Sequence, residues 1–387
     1  MSVFKPHKPS VYGETLETLT AELSQIGMPA FRARQVMDWL YKKSVCSFDE
    51  MSNLPLPLRQ WLVENYVISP ARFSMAKTAG DVTEKLLLEL EDGRYIETVI
   101  LRAPEGDEAE EGARMTLCVS SQVGCAFGCR FCASGLDGWK RNLLAAEIVG
   151  QVMTAAAYVA QRREGAATRT LSGIDNIVFM GMGEPLANFD NVIRAVEILH
   201  AGWGLGLGAR RITISTSGLA PQILKLAQVP IQFRLAVSLH GSDNQTRSAI
   251  MPVNRAHPLE ELLPAIKEFS KNHGRMVTLE YILIEDVNDA LPHARALVGI
   301  ARDLHAHVNL IPYNPVPDLP WKRPNARRQK AFSDVLTRAG TSFTIRRQKG
   351  DDIDAACGQL RLRKEQERAQ PEPGASDGGS AEKSPVA

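Results

Sequence analysis

The sequence predicts an α/β fold, a partial (β/α)6 TIM-like barrel preceded by a small, mainly helical N-terminal domain. Three observations carry this expectation. Strand-like runs at 115–120, 177–181, 211–216, 233–239, 277–284 and 308–312 alternate with stretches of helical periodicity, clearest at 143–163, 192–200, 259–272 and 291–304. Repeated strand–helix alternation argues for a parallel sheet with helices outside it. Polar residues collect at the C-terminal ends of these runs, where parallel barrels place their sites. The first hundred residues follow a different rhythm.

In chain order, residues 30–41 (AFRARQVMDWLY) are amphipathic at helical spacing, with Phe31, Val36, Trp39 and Leu40 on the apolar side. Residues 48–51 and 58–66 read as two further short helices. Residues 81–101 read as two strands around the turn Glu91-Asp92-Gly93-Arg94. Arg32, Arg34, Lys42 and Lys43 make the helical part basic. Residues 1–100 are therefore expected to form an accessory domain and 101–348 the barrel, with a further edge strand at 342–347. Residues 349–367 form a C-terminal segment. The tail at 368–387 is rich in Pro, Gly and Ser, lacks apolar anchors and is expected to be disordered.

The chain has 387 residues, 44% of them hydrophobic and 23% charged, as in an ordinary soluble protein. No 18-residue apolar run predicts a membrane span, and the opening MSVFKPHKPSVYGETLETL lacks the apolar core of a secretory signal. Six cysteines in such a chain suit a reducing compartment, so a cytoplasmic location is expected. Net charge is only +1, but nine Lys/Arg against one acid, Asp334, fall between Trp321 and Lys349. That stretch is a solvated face or a phosphate contact.

Cys125, Cys129 and Cys132 stand as Cys-x3-Cys-x2-Cys in GCAFGCRFCASG, without the fourth ligand of a closed site. Three thiolates can hold three irons of a 4Fe–4S cluster and leave the fourth iron open to S-adenosylmethionine. A structural zinc knuckle, normally four-coordinate, and an incidental cysteine cluster remain as alternatives. Phe131 can shield such a cluster. The run IVFM enters GMGEP, where Gly183 lets a ligand approach the backbone and Glu184 can receive its ammonium. The bland alternative is a tight turn with a surface carboxylate. Ser215, Ser238-Leu239-His240 and Asn314 fall at later strand ends, where they can bind carboxylate, ribose or adenine.

Together CVSSQVGCAFGCRFCASG, GMGEP, ITISTSG, AVSLHG, NLIPYNP and GDDIDAACGQL resemble the RlmN/Cfr family of radical-SAM RNA methyltransferases, from about residue 31 to residue 360. The resemblance, nearest to the RlmN type, implies methylation of adenosine C2 in 23S rRNA and of the adenosine 3′ of certain tRNA anticodons. It implies two S-adenosylmethionine molecules per turnover, a 4Fe–4S cluster, a reducing electron donor and a monomer. Adenine C2 is not nucleophilic, whereas a thiolate is. The resemblance makes Cys357 the methyl carrier, in a mobile loop, and Cys118 the thiol that resolves a covalent protein–RNA adduct. Glu97 becomes the base for the C2 proton. C8 methylation, the Cfr type, uses the same cysteines, and a non-catalytic iron–sulfur or zinc module is the reading from another class. The acidic stretch Glu105, Asp107, Glu108, Glu110 and Glu111 departs from the family pattern and is expected to point away from RNA.

Overall fold

The computed structural model describes residues 6–80, 83–102, 114–135, 138–162, 173–315, 319–346, 360, 361 and 364. Cys357, the acidic stretch 105–111 and the tail lie outside the described residues.

The N-terminal unit is helical, as expected. Helix α1 (Leu16–Gln25) starts at a reciprocal cap in which Thr15 and Thr18 satisfy each other's backbone N–H groups. Helix α2 (Phe31–Tyr41) follows, then a single 3₁₀ turn at Phe48–Glu50 and helix α3 (Leu56–Asn65). Leu19, Leu23, Val36, Met37, Leu40, Leu58 and Leu62 are fully buried between these helices. Phe31, expected on the apolar side of α2, is instead 55% exposed. The Arg32 guanidinium lies 4.8 Å from its ring centroid, and the Lys43 ammonium 3.4 Å from that of Trp39.

Three antiparallel strands come next: β1 (Ala71–Thr78), β2 (Glu84–Leu90) and β3 (Tyr95–Arg102). Strand β3 pairs antiparallel with β4 (Met115–Cys118), the first barrel strand, with Val99 opposite Cys118. The sheet therefore crosses the boundary expected at residue 100. Strands β5 (Gln122–Gly124) and β6 (Trp139–Asn142) form a separate hairpin that carries the cysteine loop.

The parallel part continues through β7 (Asn176–Phe179), β8 (Ile212–Thr216), β9 (Arg234–Ser238), β10 (Thr278–Leu283), β11 (His307–Pro312) and β12 (Phe343–Ile345). All six expected strands are present, and the edge strand at 342–347 is β12. Sheet order is β1-β2-β3-β4-β7-β8-β9-β10-β11-β12, parallel from β4 onward. The crossovers hold α4 (Ala145–Arg162), α5 (Phe189–His200), α6 (Ala220–Leu226), α7 (Asn244–Ile250), α8 (Leu259–His273), α9 (Leu291–Leu304) and α10 (Ala326–Arg338).

Helix α4 is buried along most of its length because it packs against both the barrel sheet and the N-terminal unit. One continuous apolar core runs from α1 and α2 through Ile148, Val149 and Val152 of α4 to the β-strands. Among the described residues no helix is long and apolar enough to cross a membrane.

Candidate active site at the strand ends

The β5–β6 hairpin projects the cysteine loop over the C-terminal ends of the parallel strands. Cys125 N–H donates to Gly138 O at 3.2 Å, which closes the loop at its base. Cys132 N–H to Cys129 O (3.0 Å) and Gly135 N–H to Cys132 O (3.3 Å) wind its far side into successive turns. Arg130 N–H reaches Ile250 O at the end of α7 at 3.0 Å and pins the loop to the barrel. Phe131 packs edge-on against His240, with ring centroids 4.8 Å apart.

The three cysteines, Gly183, Glu184, Ser215, Ser238 and His240 line one cavity of ≈ 240 Å³. Gly183 has a φ of +97°, and a Cβ there would stand 2.5 Å from Gln122 Cβ, so no larger residue fits without movement. Gln122 accepts Glu184 N–H at 2.8 Å and donates to Asn142 Oδ1 at 2.7 Å. GMGEP and the cysteine hairpin are thereby tied into one unit. The Glu184 carboxylate is buried and accepts Leu186 N–H (3.0 Å) on one oxygen and Ser217 N–H (2.6 Å) on the other. Burial nonetheless pushes its pKa up.

Burial also pushes Cys125 up to about 12 and Cys129 higher than an ordinary thiol, with neighbouring cysteines and Glu184 adding repulsion. Cationic iron removes that penalty by taking the place of the protons. Among the described residues no three His, Cys, Asp or Glu side chains converge as ligands of a single metal ion do. Cys125, Cys129 and Cys132 would hold three irons of a 4Fe–4S cluster, and three thiols are one ligand short of a structural zinc site.

His240 accepts Ile282 N–H on Nδ1 at 3.0 Å and has a φ of +54°. Burial, then the nearby Arg247 cation, pushes its pKa down to about 3, so the ring is neutral with its proton on Nε2. Two expected ligands lie elsewhere. Leu239 is fully buried in the core. Asn314 lies two residues past β11, outside this cavity wall.

Glu280 and Arg346 line the cavity as well and were not anticipated. Ser238, Glu280, Asn309 and Thr344 form one register row across β9, β10, β11 and β12. Thr344 donates to Asn309 (3.1 Å), and Asn309 donates to one Glu280 oxygen (2.7 Å). A lone acid inside the apolar run TLEYIL was the available signal.

Glu97 and Cys118 do not reach this cavity wall. Thr98 bonds Gln151 of α4 at 3.0 Å, so Glu97 and Val99 face the other side of the sheet, away from α4. Cys118, opposite Val99, shares that face. Glu97 is 2% exposed, with Lys85 Nζ at 3.2 Å from one oxygen and Arg361 N–H donating to the other at 2.7 Å. Leu360 packs beside Leu87 and Tyr95. The C-terminal segment is thus anchored on β2 and β3.

In the basic stretch, Arg328 donates to Asp286 (2.6 Å) and Asp289 (2.8 Å) and fastens α10 to the loop after β10. Lys322 and Arg327 are exposed.

These features meet in comparisons with known proteins. The family model for the radical SAM superfamily matches residues 119–297, so fold and site define a radical-SAM enzyme. A second model, for a ribosomal RNA large subunit methyltransferase N-terminal domain, matches residues 11–68. A probable dual-specificity RNA methyltransferase RlmN from Opitutus terrae is 58% identical over 368 residues, 94% of this chain and 97% of that protein. One from Akkermansia muciniphila is 50% identical over 364 residues, covering 94% and 98%. The crystal structure of a radical SAM methyltransferase from Sphaerobacter thermophilus superposes with a TM-score of 0.82 at 43% identity, over 91% of this chain and 98% of that one. The chain belongs to the RlmN family of radical-SAM RNA methyltransferases.

Proposed function

We propose that this enzyme methylates C2 of an adenosine in 23S rRNA and of the adenosine 3′ of the anticodon in tRNAs, using two S-adenosylmethionine molecules per turnover. The observation that carries the reading is the meeting of three loop thiols with Glu184 in one cavity, in a chain whose relatives are named dual-specificity RNA methyltransferases. Cys125, Cys129 and Cys132 would hold a 4Fe–4S cluster, which would supply, from a low-potential donor, the electron needed to cleave S-adenosylmethionine.

Glu184 receives the ammonium of S-adenosylmethionine, while Ser215, Ser238 and neutral His240 hold its polar groups. Cys357 carries the methyl group to adenine. Two residues separate Cys357 from the anchored Leu360, a chain reach of roughly 10 Å, which supports a meeting with Glu97 and Cys118. Once Glu97 has removed the C2 proton, the Cys118 thiolate attacks the Cys357 sulfur; a disulfide forms as the bond from that sulfur to the transferred carbon breaks, and the electron pair left on that carbon takes up a proton to complete the methyl group. Glu97 takes the C2 proton, so one carboxylate serves proton transfer and, through Arg361, placement of the carrier thiol. The target base must leave its stack to be reached.

The test is to locate the methyl group by mass spectrometry and NMR of nucleosides from RNA treated with the purified enzyme. Methyl at C2 supports the proposal. Methyl at C8 replaces it with the Cfr-type reaction.

A further inference from the structure

Arg247 of α7 is fully buried. Its Nε donates to Leu239 O at 3.1 Å, and Nη1 donates to Asn254 Oδ1 at 2.6 Å. Nη2 donates to Ser217 O at 2.6 Å and to Ser238 O at 3.4 Å. Every one of these acceptors is neutral. Among the described residues no carboxylate hydrogen-bonds or pairs with the guanidinium, and the group that favours its charge is Cys129. Burial pushes its pKa down to about 10, well inside the charged range at neutral pH.

A buried, unpaired cation is costly, yet the surroundings are shaped to keep it. Gly218 has a φ of +107°, and a Cβ there would lie 2.7 Å from Arg247 Nη2. His240 is neutral; Arg247 places its positive charge behind the wall at Ser217 and Ser238, while Arg346 lies in the cavity lining itself.

We propose that Arg247 is the counter-charge for a cluster on Cys125, Cys129 and Cys132 and strengthens that cluster's hold on its reducing electron. The proposal rests on the cluster reading of the loop. A dicationic cubane core with three thiolates carries one net negative charge, and reduction makes it two. A fixed positive charge stabilises the more negative state further, and in a buried site salt does not screen it. Net charge near a cluster is one of the determinants of its potential.

The experiment is an EPR-monitored redox titration of the anaerobically reconstituted full-length protein, with iron and sulfide content measured alongside. Arg247→Gln removes the charge and should lower the reduced-to-oxidised ratio about tenfold at a fixed potential, a shift of about 59 mV to more negative values. Arg247→Lys keeps the charge but loses the fork, and should retain most of the wild-type potential. A fully loaded Gln variant with the wild-type potential overturns the proposal, as does a Lys variant shifted as far as Gln. If Arg247→Gln fails to take up iron, the Lys variant decides by the same criterion. Absence of iron and sulfide from the wild-type protein would instead overturn the cluster reading itself.

Discussion

Two buried charged sites, one on β2 and β3 and one on α7, are treated in opposite ways. Lys85 and Glu97, 1% and 2% exposed, face each other at 3.2 Å, and Arg361 N–H fills the carboxylate's other oxygen. Arg247 is buried as deeply but holds neutral oxygens. The first site is paired within the chain and anchors the segment downstream of Cys357, while its carboxylate is the proposed base for the C2 proton. The second has no anionic partner among the described residues, which is why it is proposed as the counter-charge of the cysteine loop. What surrounds a buried charge, and not burial alone, separates the two.

The comparison breaks most completely when the anion opposite Arg247 is prevented from forming. Alanine at Cys125, Cys129 or Cys132 should abolish cluster assembly and 5′-deoxyadenosine formation, read by iron and sulfide analysis and by chromatography. Cys357→Ala should keep full iron content, and loss of iron there would contradict a carrier role.

On the Glu97 face, Cys118→Ala should still accept a methyl on Cys357 and then stall. Protein purified from cells should carry covalent RNA, seen as a nuclease-sensitive shift on a denaturing gel. A fully active, RNA-free variant would leave Cys118 an ordinary core thiol.

Lys85→Met sharpens the contrast energetically. It removes the cation beside the buried Glu97 carboxylate and should cost about 3–5 kcal/mol in urea unfolding. Adding Glu97→Leu in the same protein should recover much of that loss; additive losses would mean that the two side chains do not act as a pair.

The smallest effect is expected at the surface. Arg327→Glu should weaken RNA binding and reduce the salt slope by about one. Arg328→Glu should instead lower stability, since Arg328 is committed to Asp286 and Asp289. Equal loss of RNA affinity in both variants, with stability unchanged, would reverse that assignment.

The long helices were legible because each repeats its hydrophobic period over many residues, and the parallel strands because each is a compact apolar run spaced between helical stretches. Short elements were not: the β5–β6 hairpin, α6 and α7 carry too few residues for a period to register, and β1, an edge strand, is largely exposed and shows no alternating apolar face. The hairpin formed by β2 and β3 was readable as two strands, but its pairing with β4 is a long-range fact with no local signal. The cysteines, Glu184, Ser215, Ser238 and His240 were found because rare chemistry stood at strand ends. Leu239 and Asn314 were read from the same strand ends, but neither is part of the cavity lining, and Leu239 is fully buried in the core. Arg247 sits in the polar run NQTRSAI, where an arginine looks solvent-facing; only tertiary packing buries it.

The order of strands in the ten-stranded sheet is also their order along the chain. Every new strand therefore docks beside one already made, without waiting for a later segment to arrive between them. On a ribosome, where domains form from the N-terminus as the chain emerges, this sheet can grow by addition at one advancing edge. The face that anchors Leu360 is complete before the segment containing Leu360 has been synthesised, so that anchor is delivered last, onto a finished surface.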